Sequence, residues 1–113
     1  MIKVLVQTDE SGEIRRIELH SHADYDQYGR DIVCAGVSAC FQGALYAFDE
    51  EDKCEYSLEP GNSYIQVKEE ISQFNKDVLK VLVKQLELIA RDYPKNVKVT
   101  HTFRKEKWKC KLS

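Results

Sequence analysis

Residues 21–48 read Ser-His-Ala-Asp-Tyr-Asp-Gln-Tyr-Gly-Arg-Asp-Ile-Val-Cys-Ala-Gly-Val-Ser-Ala-Cys-Phe-Gln-Gly-Ala-Leu-Tyr-Ala-Phe. The character of the chain changes at Asp31. Before it, His22 to Arg30 is polar and aromatic with one glycine, the composition of a loop. After it, Val33, Val37, Cys40/Phe41, Ala44/Leu45 and Phe48 recur at helical spacing. The other side carries Ala35, Ser38, Ala39, Gln42, Gly43 and Tyr46, with almost no charge. The spacing predicts a helix from Ile32 to about Asp49. A helix without a charged face is buried on most sides. This one is expected to lie on a sheet and to be covered by a second helix or a second subunit.

The same stretch holds the chemistry. Asp31 suits a helix N-cap, because its side-chain oxygen can accept a hydrogen bond from a backbone N–H two or three residues on. Cys34 would then be the third helical residue, among unpaired N–H groups and at the positive end of the helix dipole. That setting favours the thiolate, the nucleophilic form. His22 lies upstream across a loop long enough to fold back. A cysteine and a histidine at a helix start are the minimum for nucleophilic acyl transfer. Against this stands a plainer reading, an inert buried cysteine and a surface loop histidine.

Outward from this stretch, strands flank two helices. Ile2, Val4 and Val6 alternate with Lys3, Leu5 and Gln7. Asp9-Glu10-Ser11-Gly12 is a turn, and Glu13 to Ser21 alternates over its second half, giving a hairpin. Ile17, Leu19 and Ser21 share one face, and Glu18, His20 and His22 the other. Lys53–Leu58 and Ser63–Lys68 read as two strands around the turn Glu59-Pro60-Gly61-Asn62. Ser72 or Asn75 caps a second helix running to about Asp92. Its apolar stripe is Val78, Leu82, Leu86 and Ile89, widened by Leu79, Val81 and Val83. Tyr93-Pro94-Lys95-Asn96 stops it, and Val97, Val99, His101 and Phe103 alternate in a last strand. The order ββαββαβ implies an α+β fold, a largely antiparallel sheet with two helices packed on it.

The chain has 113 residues, 42% hydrophobic and 32% charged, enough for one domain with one core and against disorder. A formal charge of −2 gives no general attraction to nucleic acid or membranes. The N-terminal apolar run is too short for a signal peptide. Cys34, Cys40, Cys54 and Cys110 form no C-x-x-C pair, so reduced thiols in a cytoplasm are expected. Asp49-Glu50-Glu51-Asp52 reads as a solvated acidic loop. Arg104 to Lys111 places five basic residues around Trp108; this is read as a solvated terminus, with RNA contact the alternative. His20, His22 and Cys34 make an incomplete metal set, since a structural zinc site takes four ligands and no fourth is evident. No metal and no cofactor are expected.

His22-Ala23, Gly29, Asp31 and Cys34-Ala35-Gly36-Val37-Ser38 resemble the motif of the ribosomal-processing cysteine protease (Prp) family, of the form H-A…G-x-D-φ-V-C-A-x-V-S. Ile89-Ala90-Arg91-Asp92-Tyr93-Pro94-Lys95-Asn96-Val97-Lys98-Val99 resembles that family's helix-to-last-strand ending. The resemblance implies a cytoplasmic homodimeric endopeptidase. Such an enzyme removes a short N-terminal extension from a bacterial large-subunit ribosomal protein, cutting after a Phe-rich segment that lysines follow. No membrane and no direct nucleic-acid contact are implied. Carried over, Cys34 is the nucleophile and His22 the base. Asp31, Ser38, Ser21 and Gly29 are substrate-binding or supporting positions. Ser21 departs from the family, which usually has glycine there, where close backbone approach or positive φ would call for it. Helix N-terminal amides near Cys34 are candidates for binding the oxyanion. Asp24, Asp26 and Asp31 are candidates to orient His22, with a plain dyad the alternative. The rival to an enzyme is a non-enzymatic ribosome-associated or dimerisation module.

Overall fold

The computed structural model describes residues 1–21, 28–49, 54–59, 61–68 and 70–103, with side chains in the first helix from Ile32 onward. His22, Asp24, Tyr25, Asp26 and the basic tail from Arg104 lie outside the described residues. So do most of the acidic run after Asp49 and the side chains of Tyr28 and Asp31.

The elements are β1 (Ile2–Thr8), β2 (Ile14–Ser21), α1 (Tyr28–Ala47), β3 (Cys54–Glu59), β4 (Asn62–Val67), α2 (Gln73–Asp92) and β5 (Val97–Phe103). The expected ββαββαβ order holds. The five strands form one sheet in the order β3-β4-β2-β1-β5. β1 pairs antiparallel with β2, β2 with β4, and β3 with β4, while β1 and β5 run parallel.

Register decides which face is buried. Val6 sits opposite Ile17, and Ile17 opposite Ile65, so these three line one face with Val4 and Val97. All five are buried. Against that face pack Val33, Val37, Phe41 and Ala44 of α1 and Leu79, Leu82, Val83 and Leu86 of α2, in one continuous core. The opposite face is polar. There Arg16 stacks on the Tyr64 ring at 4.3 Å and bonds to Glu18 and Gln66. His20 Nε2 shares a hydrogen bond of 2.8 Å with Glu18.

Three expectations about the helices meet the structure differently. Ser72 caps α2 as expected, its hydroxyl accepting from the Asn75 N–H at 3.1 Å. Val81, assigned to the apolar stripe, points outward and is 55% exposed. The larger difference concerns α1, which is buried along one side only. Ile32 and Tyr46 are 72% and 92% exposed, and Ala35, Ala39 and Gly43 are exposed with them. The reason is placement: α2 lies beside α1 on the same sheet face rather than over it. The two helices meet where Gly36 faces Ile89; a Cβ on Gly36 would stand 3.8 Å from that side chain, an ordinary contact.

Two carboxylates tie stability to pH. Burial raises the pKa of Asp9, but the Ser11 side chain and the Glu13 and Ser11 amides outweigh it, holding this turn carboxyl below the ordinary range. Burial likewise works against Glu18, and hydrogen bonds from His20 and Arg16 outweigh it. A carboxylate with a lowered folded-state pKa contributes stability above its unfolded pKa and loses it as pH falls through the folded one. The urea midpoint is therefore expected to hold from neutral pH to about 5 and to fall below about 4. Asp9→Asn, which keeps an accepting oxygen but cannot titrate, is expected to flatten that fall. Identical pH curves for parent and variant would rule Asp9 out as a contributor.

Candidate active site

α1 begins at Tyr28, three residues before the start expected from Asp31. Asp31 is thus the fourth helical residue and not the cap. Aspartate serves both as a cap and in the first turn, where the dipole also favours it, so its identity alone does not separate the two. The shift matters for Cys34, which becomes the seventh residue of the helix. Unpaired amides and the dipole act mainly within the first turn. The expected place of Cys34 in the first helical turn is therefore corrected: it lies one turn further in. Its amide belongs to the i→i−4 ladder and is not an oxyanion donor.

Cys34 is nonetheless well placed. It is half-buried with a free thiol and lines a cavity of about 370 Å³ between α1 and the end of the sheet. α1 contributes Cys34, Val37, Ser38, Phe41 and Gln42 to the cavity. Cys34, Ser38 and Gln42 are four residues apart and so follow one ridge of the helix. Gln42 Nε2 donates to Ser38 Oγ at 2.9 Å. The floor is Ile2, Leu19 and Ser21. The far wall is the β3–β4 hairpin, through Leu58, Glu59, Gly61, Asn62 and Ser63.

Of the expected site residues, the structure brings Ser21, Cys34 and Ser38 to one cavity. Gly29 and Asp31 are in the first turn of α1. The hairpin wall was missed. Its Pro-Gly turn was evident, but its place beside the end of β2 depends on the pairing of β4 with β2.

That turn fixes the point from which the chain leaves for His22. The Ser21 N–H donates to the Gly61 carbonyl at 3.1 Å. Gly61 has φ +77°, and a Cβ on it would meet the Ser21 carbonyl oxygen at 3.2 Å. Close approach is thus supplied by a glycine on the neighbouring hairpin, while Ser21 itself lies in regular strand. Gly61→Ala is expected to cost about 1–2 kcal/mol for its left-handed backbone alone, with a further loss from crowding Ser21. Urea unfolding would measure it, and an unchanged midpoint would show that the clamp is slack.

Thiol reactivity should follow placement. Burial pushes the Cys40 thiol up, so less of it is thiolate. Iodoacetamide at neutral pH is expected to label Cys34 several-fold faster than Cys40, as read by peptide mapping. Equal rates would show that opening onto the cavity gives Cys34 no advantage.

The fold and this site present a cysteine thiol to an open groove on an α+β scaffold, an arrangement that a thiol hydrolase requires. Residues 1–98 match the family model described as cysteine protease Prp, and the chain belongs to that family and is a cysteine protease. It is similar to the ribosomal processing cysteine protease Prp of Staphylococcus aureus, 27% identical over 105 residues, which cover 89% of this chain and 99% of that protein. The protein of the same name from Bacillus subtilis is 29% identical over 108 residues, covering 88% and 96%. Among solved structures, S. aureus Prp with a covalently linked product peptide matches at TM-score 0.80 and 24% identity, over 90% of this chain and all of that one. A Streptococcus mutans structure, SMU.848, matches at TM-score 0.77 and 22% identity, over 92% and 96%. At these identities the structural matches speak to the fold.

Proposed function

We propose that this protein is a ribosomal processing protease, a single catalytic domain over residues 1–113, acting in the cytoplasm. It removes the short N-terminal extension of a bacterial large-subunit ribosomal protein, cutting after a Phe-rich segment. One observation carries the chemistry: Ser21, to which His22 is bonded, lines the same cavity as Cys34. In this reading His22 takes the Cys34 proton and the thiolate attacks the scissile carbonyl. The tetrahedral intermediate collapses to a thioester, and the leaving amine receives that proton from His22. Water, deprotonated by His22, then hydrolyses the thioester and restores the thiol. The substrate assignment is supported by the name of the S. aureus and B. subtilis relatives. Glu59 at the cavity wall adds negative charge suited to the lysines expected after the cut. Mass spectrometry of a ribosomal N-terminal peptide incubated with the protein tests the reading. A new N-terminus directly after the Phe-rich segment is expected, and an intact peptide would refute it.

The working form is a homodimer joined through the outer side of α1. No charged residue lies between Ile32 and Phe48. The exposed strip there continues onto Phe74 and Val81 of α2, 52% and 55% exposed, across an apolar groove of about 520 Å³. Large exposed apolar patches mark interaction surfaces, and a second copy would cover this one. Val81→Glu is expected to give monomers by sedimentation, and an unchanged dimer would place the interface elsewhere.

A further inference from the structure

The edge strand β3 forms part of the second wall of the catalytic cavity. Leu58 is opposite Ser63, and Tyr56 opposite Ile65. Directly opposed residues share a face, and Ile65 is in the core, 1% exposed. Leu58 and Tyr56 therefore project on the helix side of the sheet. Yet they are 44% and 56% exposed, because the helices do not reach over this edge. Leu58 closes the cavity opposite Cys34 and Ser38, while Tyr56 is two residues further along the same face. The groove is thus two-sided: a polar helix ridge of Cys34, Ser38 and Gln42 faces an apolar strand shelf.

We infer that Leu58, continued by Tyr56, is a specificity subsite for a large apolar side chain of the substrate peptide close to the scissile bond. A peptide laid in the groove sets its backbone amides against Ser38 and Gln42 and an apolar side chain on the shelf. Cys34 and Leu58 line one cavity, so an extended peptide whose carbonyl meets Cys34 carries a neighbouring side chain onto the shelf. The inference rests on the protease reading, and its occupant is the peptide whose carbonyl Cys34 attacks.

The test compares Leu58→Asn and Leu58→Met with the parent on two peptides, one with phenylalanines flanking the cut and one with alanines in their place. For Leu58→Asn, kcat/KM on the phenylalanine peptide is expected to fall about tenfold or more through KM, and to change less than twofold on the alanine peptide. Leu58→Met is expected to stay near the parent. Equal falls on both peptides, or none on either, would overturn the subsite. Fluorescence anisotropy of the labelled phenylalanine peptide on Cys34→Ala, with and without Leu58→Asn, decides the same question without turnover. A parent that cleaves neither peptide would refute the protease reading. Weaker binding with Leu58→Asn would still uphold the shelf, and unchanged binding would remove it.

Discussion

Cys34→Ser is expected to lower kcat/KM on the ribosomal N-terminal peptide by about 10⁴-fold or more, the scale seen when a covalent nucleophile is removed from an acyl-transfer enzyme. The substitution exchanges a thiol for a slightly smaller hydroxyl at a half-buried position. It removes no packing of consequence, and the urea midpoint should stay within about 0.5 kcal/mol of the parent. A hydroxyl in place of the thiol loses nearly all nucleophilicity, because an alcohol ionises far less readily than a thiol. Activation then falls to a neighbouring base. In the proposed mechanism that base is His22, and His22→Ala is expected to lose activity on a similar scale. Cys40→Ser is the matched control, since Cys40 lines the groove between α1 and α2 and not the cavity that holds Cys34. Full activity in Cys34→Ser would remove the nucleophile assignment, and loss in a Cys40→Ser protein that sediments like the parent would move it.

How far this site could be read from the sequence depended on what each residue's signal encodes. Alternation placed Ile17, Leu19 and Ser21 on one strand face, and the register confirms it. Helical spacing placed Val33, Val37 and Phe41 in the core. The start of α1 was misplaced because aspartate is favourable both at a cap and one turn later. The uncharged outer side of α1 was read as buried, and within one chain it is not. Local pattern records that a surface avoids charge without recording what covers it. Val81 was misassigned for a related reason: an apolar residue at the margin of a stripe fits either side of its edge. The hairpin wall was out of reach because strand order is non-local. Nothing in Lys53–Lys68 states that its turn packs against Ser21 rather than at a distant edge. The cavity shares that difficulty, being assembled from five elements separated in sequence.

Phe41→Ala is the change expected to cost the most stability. Phe41 is 1% exposed, lies in the core beneath α1 and also lines the cavity that holds Cys34. Phenylalanine-to-alanine changes in cores cost about 3–5 kcal/mol, from lost transfer energy and the cavity left behind. That is a large share of the roughly 5–15 kcal/mol that holds a domain of this size together. With a urea m-value of about 1–3 kcal/mol/M, the midpoint should drop by about 1–5 M. A void beside an open cavity has a second consequence. Water can enter from the catalytic side, so the site relaxes by hydration rather than by collapse. Phe41→Leu separates the two roles, retaining most of the apolar volume at a cost of about 1–1.5 kcal/mol. It should remain folded while altering the shape of the cavity beside Leu58 and Ser38, and hence KM more than kcat. A Phe41→Ala midpoint within about 0.3 M of the parent would mean that α1 is held to the sheet mainly by Val33, Val37 and Ala44, and that Phe41 belongs to the substrate groove more than to the core.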